Sequence, residues 1–167
     1  MNKLCTASTV EQFKPSEPWE TATSRGPETF EVNVIFTDPR ATAAALHAAQ
    51  SLARGLGAVI RLRAGIVVPV RLPLDQPLVS VQFVERLLRK LAEQLELADC
   101  EITVHLYVCR NWVETLFDVL RPGSLVVVGG RRRWWPSAAS RVASALHAKG
   151  HRVTFVPAKG EAAESLR

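Results

Sequence analysis

Cysteine is scarce in this chain of 167 residues: Cys5, Cys100 and Cys109 form no CxxC pair. An odd, sparse count argues against a disulfide framework or a cysteine-built zinc site and makes a reducing cytoplasm the expected setting. Long apolar runs are missing too. None approaches the ~20 residues that a membrane helix needs, and the polar N-terminus lacks a signal peptide's apolar stretch, so neither a membrane nor secretion is expected. Negative charge is missing from one quarter of the chain, because Val119 through Gly160 contain no Asp or Glu. Over that stretch Arg121, Arg131, Arg132, Arg133, Arg141, Lys149, Arg152 and Lys159 are all cationic, whereas the remainder of the chain is net negative. The asymmetry predicts an anion facing the C-terminal quarter, either a phosphate-bearing ligand or an acidic protein partner. A solvated basic face kept for solubility is the competing reading.

What is present describes an ordinary globular domain, 47% hydrophobic and 22% charged. Residues 1–30 carry Pro15, Pro18 and Pro27 among scattered polar residues without a period of 2 or 3.6, and read as a disordered or loosely docked tail. A domain over 31–157 follows, then a short tail over 158–167. Within the domain, strand-like and helix-like segments alternate. Val32 to Thr37 is a β-branched apolar run, and Asp38-Pro39 supplies an N-cap with proline at the first helical position. The following helix places Ala45, Ala49, Leu52, Ala53 and Leu56 on one small-residue stripe, and Gly55 and Gly57 are expected to stop it. Ala58 to Ala64 is a second strand, and Gly65 to Leu78, with three prolines, a surface connection. Val79 to Leu97 sets Phe83, Val84, Leu87, Leu88, Leu91 and Leu95 on one helical face.

Glu101 to Cys109 alternates apolar residues with Thr103, His105 and Tyr107, the pattern of a third strand with one wetter face. Asn111 and Glu114 form a capping-box pair opening a short helix with Trp112, Leu116 and Leu120 inward. Leu125 to Val128 is a continuous apolar fourth strand running into Gly129-Gly130. A last helix spans Ser137 to Lys149 with Val142, Ala145 and Leu146 inward, and Arg152 to Val156 forms a fifth strand. Such alternation predicts an α/β three-layer sandwich around a five-stranded parallel sheet, Rossmann-like, with two helices on each face. Continuous apolar strands belong in a sheet centre and alternating ones at its edges, which favours the order 3-2-1-4-5 over the flavodoxin-like 2-1-3-4-5. Arg61 and Arg63 in the second strand fit neither order well.

In an open parallel sheet, ligands bind beyond the carboxyl ends of the strands where the winding reverses, here between the first and fourth strands. Asp38 leaves one and Gly129-Gly130 the other. The glycines admit a ligand close to backbone, the last helix presents free N–H groups, Arg131, Arg132 and Arg133 add charge, and Trp134 and Trp135 offer rings for stacking. The structural alternatives are an N-cap, a strand exit and a surface or subunit contact.

This arrangement resembles the universal stress protein family over residues 32–157. The marks are the first strand and Asp38 before an Ala-rich helix, Gly57-Ala58 entering the second strand, Arg121-Pro122-Gly123-Ser124 leading to Leu125–Gly129, and Ser140 to Val156 running into the fifth strand. The resemblance implies a sheet of order 3-2-1-4-5, of the adenine nucleotide alpha hydrolase-like type, a homodimer, and a nucleotide site that some members use for ATP. ATP-binding members share a loop of Gly, two residues, Gly, nine residues, then Gly with Ser or Thr. Starting that loop at Gly130 keeps the spacing but puts Arg133 and Ala143 at the other glycines and Ser144 at the hydroxyl. Starting at Gly129 matches Ala139-Ser140 to the final pair with three residues missing, and keeps the last helix long enough to cover the sheet. In both registers an arginine stands where glycine lets phosphate reach the backbone. The resemblance therefore implies Asp38, Gly129 and Ser140 as inherited ligand positions, with ATP or AMP binding weakened or lost. It also implies dimerisation through Arg152, Val153, Thr154, Phe155 and Val156.

No GxSxG elbow, HExxH pair or Walker loop is present, so no residue is nominated as nucleophile or metal ligand and a non-enzymatic role is expected. His105 and His147 read as structural. Cys100 and Cys109 lie too far apart along an extended strand to bridge. The Arg131–Trp135 run has the charge and rings to meet single-stranded nucleic acid but lacks any nucleic-acid-binding fold context, so a nucleic-acid partner is not expected.

Overall fold

The computed structural model describes residues 8–12, 30–93, 100–131 and 137–158. Its strands are β1 (Ser8–Gln12), β2 (Glu31–Ile35), β3 (Val59–Val67), β4 (Ile102–Cys109), β5 (Leu125–Gly130) and β6 (Arg152–Pro157). The helices are α1 (Pro39–Leu56), α2 (Val81–Glu93), α3 (Trp112–Val119) and α4 (Ala138–Ala148). All strand pairs are parallel, in the order β1-β4-β3-β2-β5-β6.

Strands β2 to β6, the five expected from sequence, have the order 3-2-1-4-5. The competing order would have paired β4 with β2. Instead, β2 lies between β3 and β5, with Val34 opposite both Leu62 and Val127. Its centre is dry because Val32, Val34, Ile35 and Val126 to Val128 are fully buried. A sixth strand is added to the expected five: Ser8–Gln12, within the stretch read as a tail, pairs with Val104–Val108 along the far side of β4. That places β4 inside the sheet, an edge only of the five-stranded core.

Two cores sandwich the sheet. On one face Ala45, Leu46, Ala49 and Ala53 of α1 and Leu88, Leu91 and Ala92 of α2 pack on Val34, Leu62 and Leu106. On the other, Leu116 and Leu120 beside Val142, Ala143 and Leu146 of α4 cover Ile35, Val126 and Val128. The helix ends follow their local chemistry. Asp38 caps α1 by accepting from the Ala41 N–H at 2.9 Å, and Gly57 closes it at φ 59°, a left-handed conformation that favours glycine. Asn111 caps α3, accepting from the Val113 and Glu114 amides. Two details differ from the expected pattern. Leu52 and Leu56 are exposed, so the stripe of α1 is its alanines and Leu46, and Phe83 points to solvent rather than into the core. Leu95 lies outside the described residues.

Candidate functional site

Thr37 and Asp38 leave the carboxyl end of β2, and Gly129 and Gly130 end β5 beside it, so the chain brings these segments together. The Thr37 hydroxyl donates to the Gly129 carbonyl at 2.7 Å and bridges the two strand ends. Thr37 N–H in turn donates to the Thr42 hydroxyl at 3.1 Å. The half-buried Asp38 turns its carboxylate inward to the Ala41 amide, and its own carbonyl accepts from Thr42 N–H.

Both glycines are fitted to the protein itself. A Cβ on Gly129 would lie 1.9 Å from the carbonyl oxygen of Ala41, so the first turn of α1 already fills that side of the strand. A Cβ on Gly130 would lie 2.6 Å from the Phe155 ring and 2.9 Å from Ala139 Cβ. Gly129 thus permits the backbone of α1 to approach β5, and Gly130 leaves room for the Phe155 ring and the Ala139 methyl of α4.

Arg131 follows, exposed. Arg132, Arg133, Trp134 and Trp135 lie outside the described residues. At the start of α4, Ser137 caps the helix by accepting from the Ser140 N–H at 3.1 Å, while the Ser140 hydroxyl donates to the Ser137 carbonyl at 2.9 Å. Ser140 therefore sits in the first helical turn with its hydroxyl used locally. Thr37, Thr42 and Ser137 were not singled out from sequence as site residues, although a hydroxyl at a strand exit and a Ser three residues before another are signals for such bridges and caps.

A second polar cluster occupies the α3 side of the sheet over β3 and β4. Arg63 is buried, its Nε donating to Asn33 Oδ1 at 2.8 Å and its Nη1 to the Tyr107 hydroxyl. Arg61 forms an ion pair with Glu31 at 2.6 Å and lies 3.2 Å from His105 Nε2, which also meets the Thr103 hydroxyl. Burial, with the charges of Arg63 and Arg61 adding to it, lowers the His105 pKa from 6.5 to about 4 and holds the ring neutral. The wetter face expected of β4 is half-buried at Thr103 and His105 and buried at Tyr107; hydrogen bonds hold Arg63 and an ion pair holds Arg61, while Arg61 Nε and His105 Nδ1 are buried without a partner among the described residues.

The buried cysteines are free thiols. Burial raises the Cys109 pKa against a smaller opposing hydrogen bond from Thr115, which leaves that thiol unactivated. Among the described residues there is no cluster of three His, Cys, Asp or Glu able to hold a metal. No described helix is long and apolar enough to cross a membrane.

No family model matches the chain, and no curated protein matches it in sequence. Solved structures do match in fold. A universal stress protein from Archaeoglobus fulgidus superposes with a TM-score of 0.55 at 13% identity, over 76% of this chain and 93% of that one. A universal stress protein in complex with cAMP matches at 0.48 and 16% identity, over 79% and 100%. The universal stress protein UspA from Lactobacillus plantarum matches at 0.44 and 12%, over 78% and 99%. The chain has the universal stress protein fold, a parallel Rossmann-like α/β sandwich.

Proposed function

We propose that the protein is a non-enzymatic binding module of the universal stress type, acting as a homodimer in the stress response, with weak or lost nucleotide binding. The observation that carries this reading is the filled space at Gly129 and Gly130, where Ala41, Phe155 and Ala139 stand against the glycine faces. The Thr37 hydroxyl, the Asp38 carboxylate and the Ser140 amide are likewise engaged within the protein. A triphosphate would have to displace these bonds or rely on the arginines that follow. Titration calorimetry is expected to give ATP and AMP dissociation constants weaker than ~100 μM, about −5.5 kcal/mol or less favourable. Residual affinity should fall with salt and disappear when Arg131, Arg132 and Arg133 are all replaced by alanine. Micromolar ATP binding that this replacement weakens would favour a nucleotide-binding protein with slow hydrolysis, its phosphates held by Arg131 to Arg133 and the N-terminus of α4, whereas micromolar binding untouched by it would overturn this reading of the loop. The exposed position of Arg131, directly after the glycine pair, is what keeps this second reading in view.

The dimer contact proposed is β6 against its symmetry copy. β6 is an outer strand of the sheet, and its N–H groups alternate in direction. Arg152 N–H donates inward to Ser124 and Ala158 N–H inward to Gly130, so the amides of Val153 and Phe155 point outward and Pro157 occupies the last outward position. Two such edges can pair antiparallel about a two-fold axis. Val153→Pro removes an outward donor without touching the ladder to β5. It is expected to yield monomers with an unchanged far-UV spectrum in sedimentation at tens of micromolar. A variant that stays dimeric, or a wild-type monomer, would move the interface elsewhere.

A further inference from the structure

The connection from β3 to α2 leaves the carboxyl edge of the sheet, the same edge that carries the Thr37–Gly129 contact. It gathers most of the misplaced apolar surface. Of the eight large apolar side chains exposed among the described residues, Val67, Val70, Leu78, Val79 and Phe83 fall within one short stretch, with Val70 86%, Leu78 76% and Phe83 58% exposed. Val67 ends β3 and Phe83 lies in the first turn of α2, so the five flank or lie in one connection; single exposed apolar residues are ordinary, whereas such a concentration along one segment makes it the candidate interaction surface.

Two features make the group a presented surface. First, the connection is tied down: Leu72 and Leu74 pack into the core beneath it, Leu72 N–H donates to the Pro69 carbonyl at 2.9 Å, and Gln76 N–H to the Pro73 carbonyl at 3.1 Å. Arg110 reaches over from the end of β4 to the carbonyls of Val68 and Pro69. Its outward side chains are thus held in place before any partner arrives, which lowers the ordering cost of binding. Second, the charge around it has one prevailing sign. Arg71, Arg86 and Arg110 are exposed against Asp75, whereas Glu85 is engaged with Arg89 at 2.7 Å. The first turn of α2 contains no acid to offset its positive dipole end.

We infer that this apolar patch with its basic rim is a docking surface for a protein segment that carries bulky apolar anchors flanked by Asp or Glu. The inference rests on the reading of the protein as a module that works through partner contacts, and it places that partner at the β3–α2 connection. The apolar anchors would cover Val70, Leu78, Val79 and Phe83, and the acids would meet the rim arginines, a layout in which the centre supplies affinity and the rim supplies orientation and rate.

The test is selection of a phage-displayed library of random peptides on the full-length protein, with counter-selection on the Phe83→Asp variant. Recovered peptides should pair two or more large apolar residues with neighbouring acids. A synthetic copy should bind at least about tenfold more weakly to Phe83→Asp and to Leu78→Asp, a difference of ~1.4 kcal/mol. Its affinity should decline with salt, and less steeply once Arg71 and Arg86 are both glutamate. Both anchor positions are solvent-facing, so far-UV spectra should match the wild type and separate lost binding from lost folding. Peptides without the apolar-acidic pattern, or equal affinity for the variants, would overturn the inference. So would self-association that Phe83→Asp abolishes, which would assign the patch to a second copy, or flotation with phosphatidylserine vesicles that Phe83→Asp abolishes, which would assign it to a membrane surface. ATP calorimetry and sedimentation of Val153→Pro test the nucleotide and dimer reading separately, so failure of one is distinguishable from failure of the other.

Discussion

Gly129→Ala is expected to destabilise the protein by about 3–4 kcal/mol, and Gly129→Val to prevent folding at ordinary temperature. The added Cβ would stand 1.9 Å from the Ala41 oxygen and 2.5 Å from its carbonyl carbon, where no real Cβ is found. The obstacle is backbone. Ala41 lies in the first turn of α1, fixed by the Asp38 cap, and Thr42 ties the same turn to Thr37. Relieving the clash means lifting α1 from the sheet and opening the contacts of Ala45 and Ala49, which are wholly buried. Two other glycines calibrate the effect. A Cβ on Gly65 would meet the Trp112 ring at 2.4 Å, a side chain that can turn aside, so Gly65→Ala should cost about 1–2 kcal/mol. Gly55 lies in α1 with nothing within 4 Å of its Cβ position, and Gly55→Ala should stabilise by about 0.5–1 kcal/mol. Urea midpoints with unchanged slopes would check the series. A Gly129→Ala protein within 1 kcal/mol of wild type would show that the glycine is not there for packing, and would reopen phosphate approach as its reason.

The positions of Asp38 and Gly129 at adjoining strand ends followed from alternation and strand character alone, because burial on both faces leaves a continuous apolar run and few places for it in a parallel sheet. What the glycines touch did not follow, since a glycine admitting a ligand and one admitting a helix look alike in sequence. β1 was not legible for a related reason. Five residues of mixed polarity, Ser-Thr-Val-Glu-Gln, carry no period, and their ladder is made with backbone groups that any non-proline residue supplies. The layer around Arg63 was visible only as an anomaly. Arginine in a central strand contradicts the apolar rule until Asn33, Tyr107 and His105, distant in sequence, are seen beside it on neighbouring strands. The exposure of Phe83 has the opposite origin: it matched the helical period, but the face of α2 that reaches the sheet is set by Leu88, Leu91 and Ala92 further along the helix.

The same layer should give the protein a marked acid sensitivity. His105 has its pKa lowered from 6.5 to about 4, chiefly by burial and then by the charges of Arg63 and Arg61. A lowered histidine pKa means that the unfolded chain takes up the proton first. Between pH 6.5 and 4 the unfolded state therefore binds more protons than the native one, and stability falls as the pH falls through that window. Above it the group contributes no pH dependence. The full separation corresponds to about 3 kcal/mol, and partial access of solvent to the ring reduces the expected loss to about 2 kcal/mol. His151, also lowered by burial, acts in the same direction. His105→Gln keeps a polar side chain beside Thr103 and Arg61 but cannot titrate, so its urea stability should be flatter than wild type between pH 6.5 and 4, the two curves converging or crossing in acid. Arg61→Gln should raise the His105 pKa by removing one repelling charge, shrinking the loss without abolishing it. The His105 ring proton resonance reports the same quantity directly, and should show no midpoint near 6.5. Parallel stability curves for wild type and His105→Gln across that window would show that the ring is charged or solvated in the native protein, and would remove the histidine from this account of the buried layer.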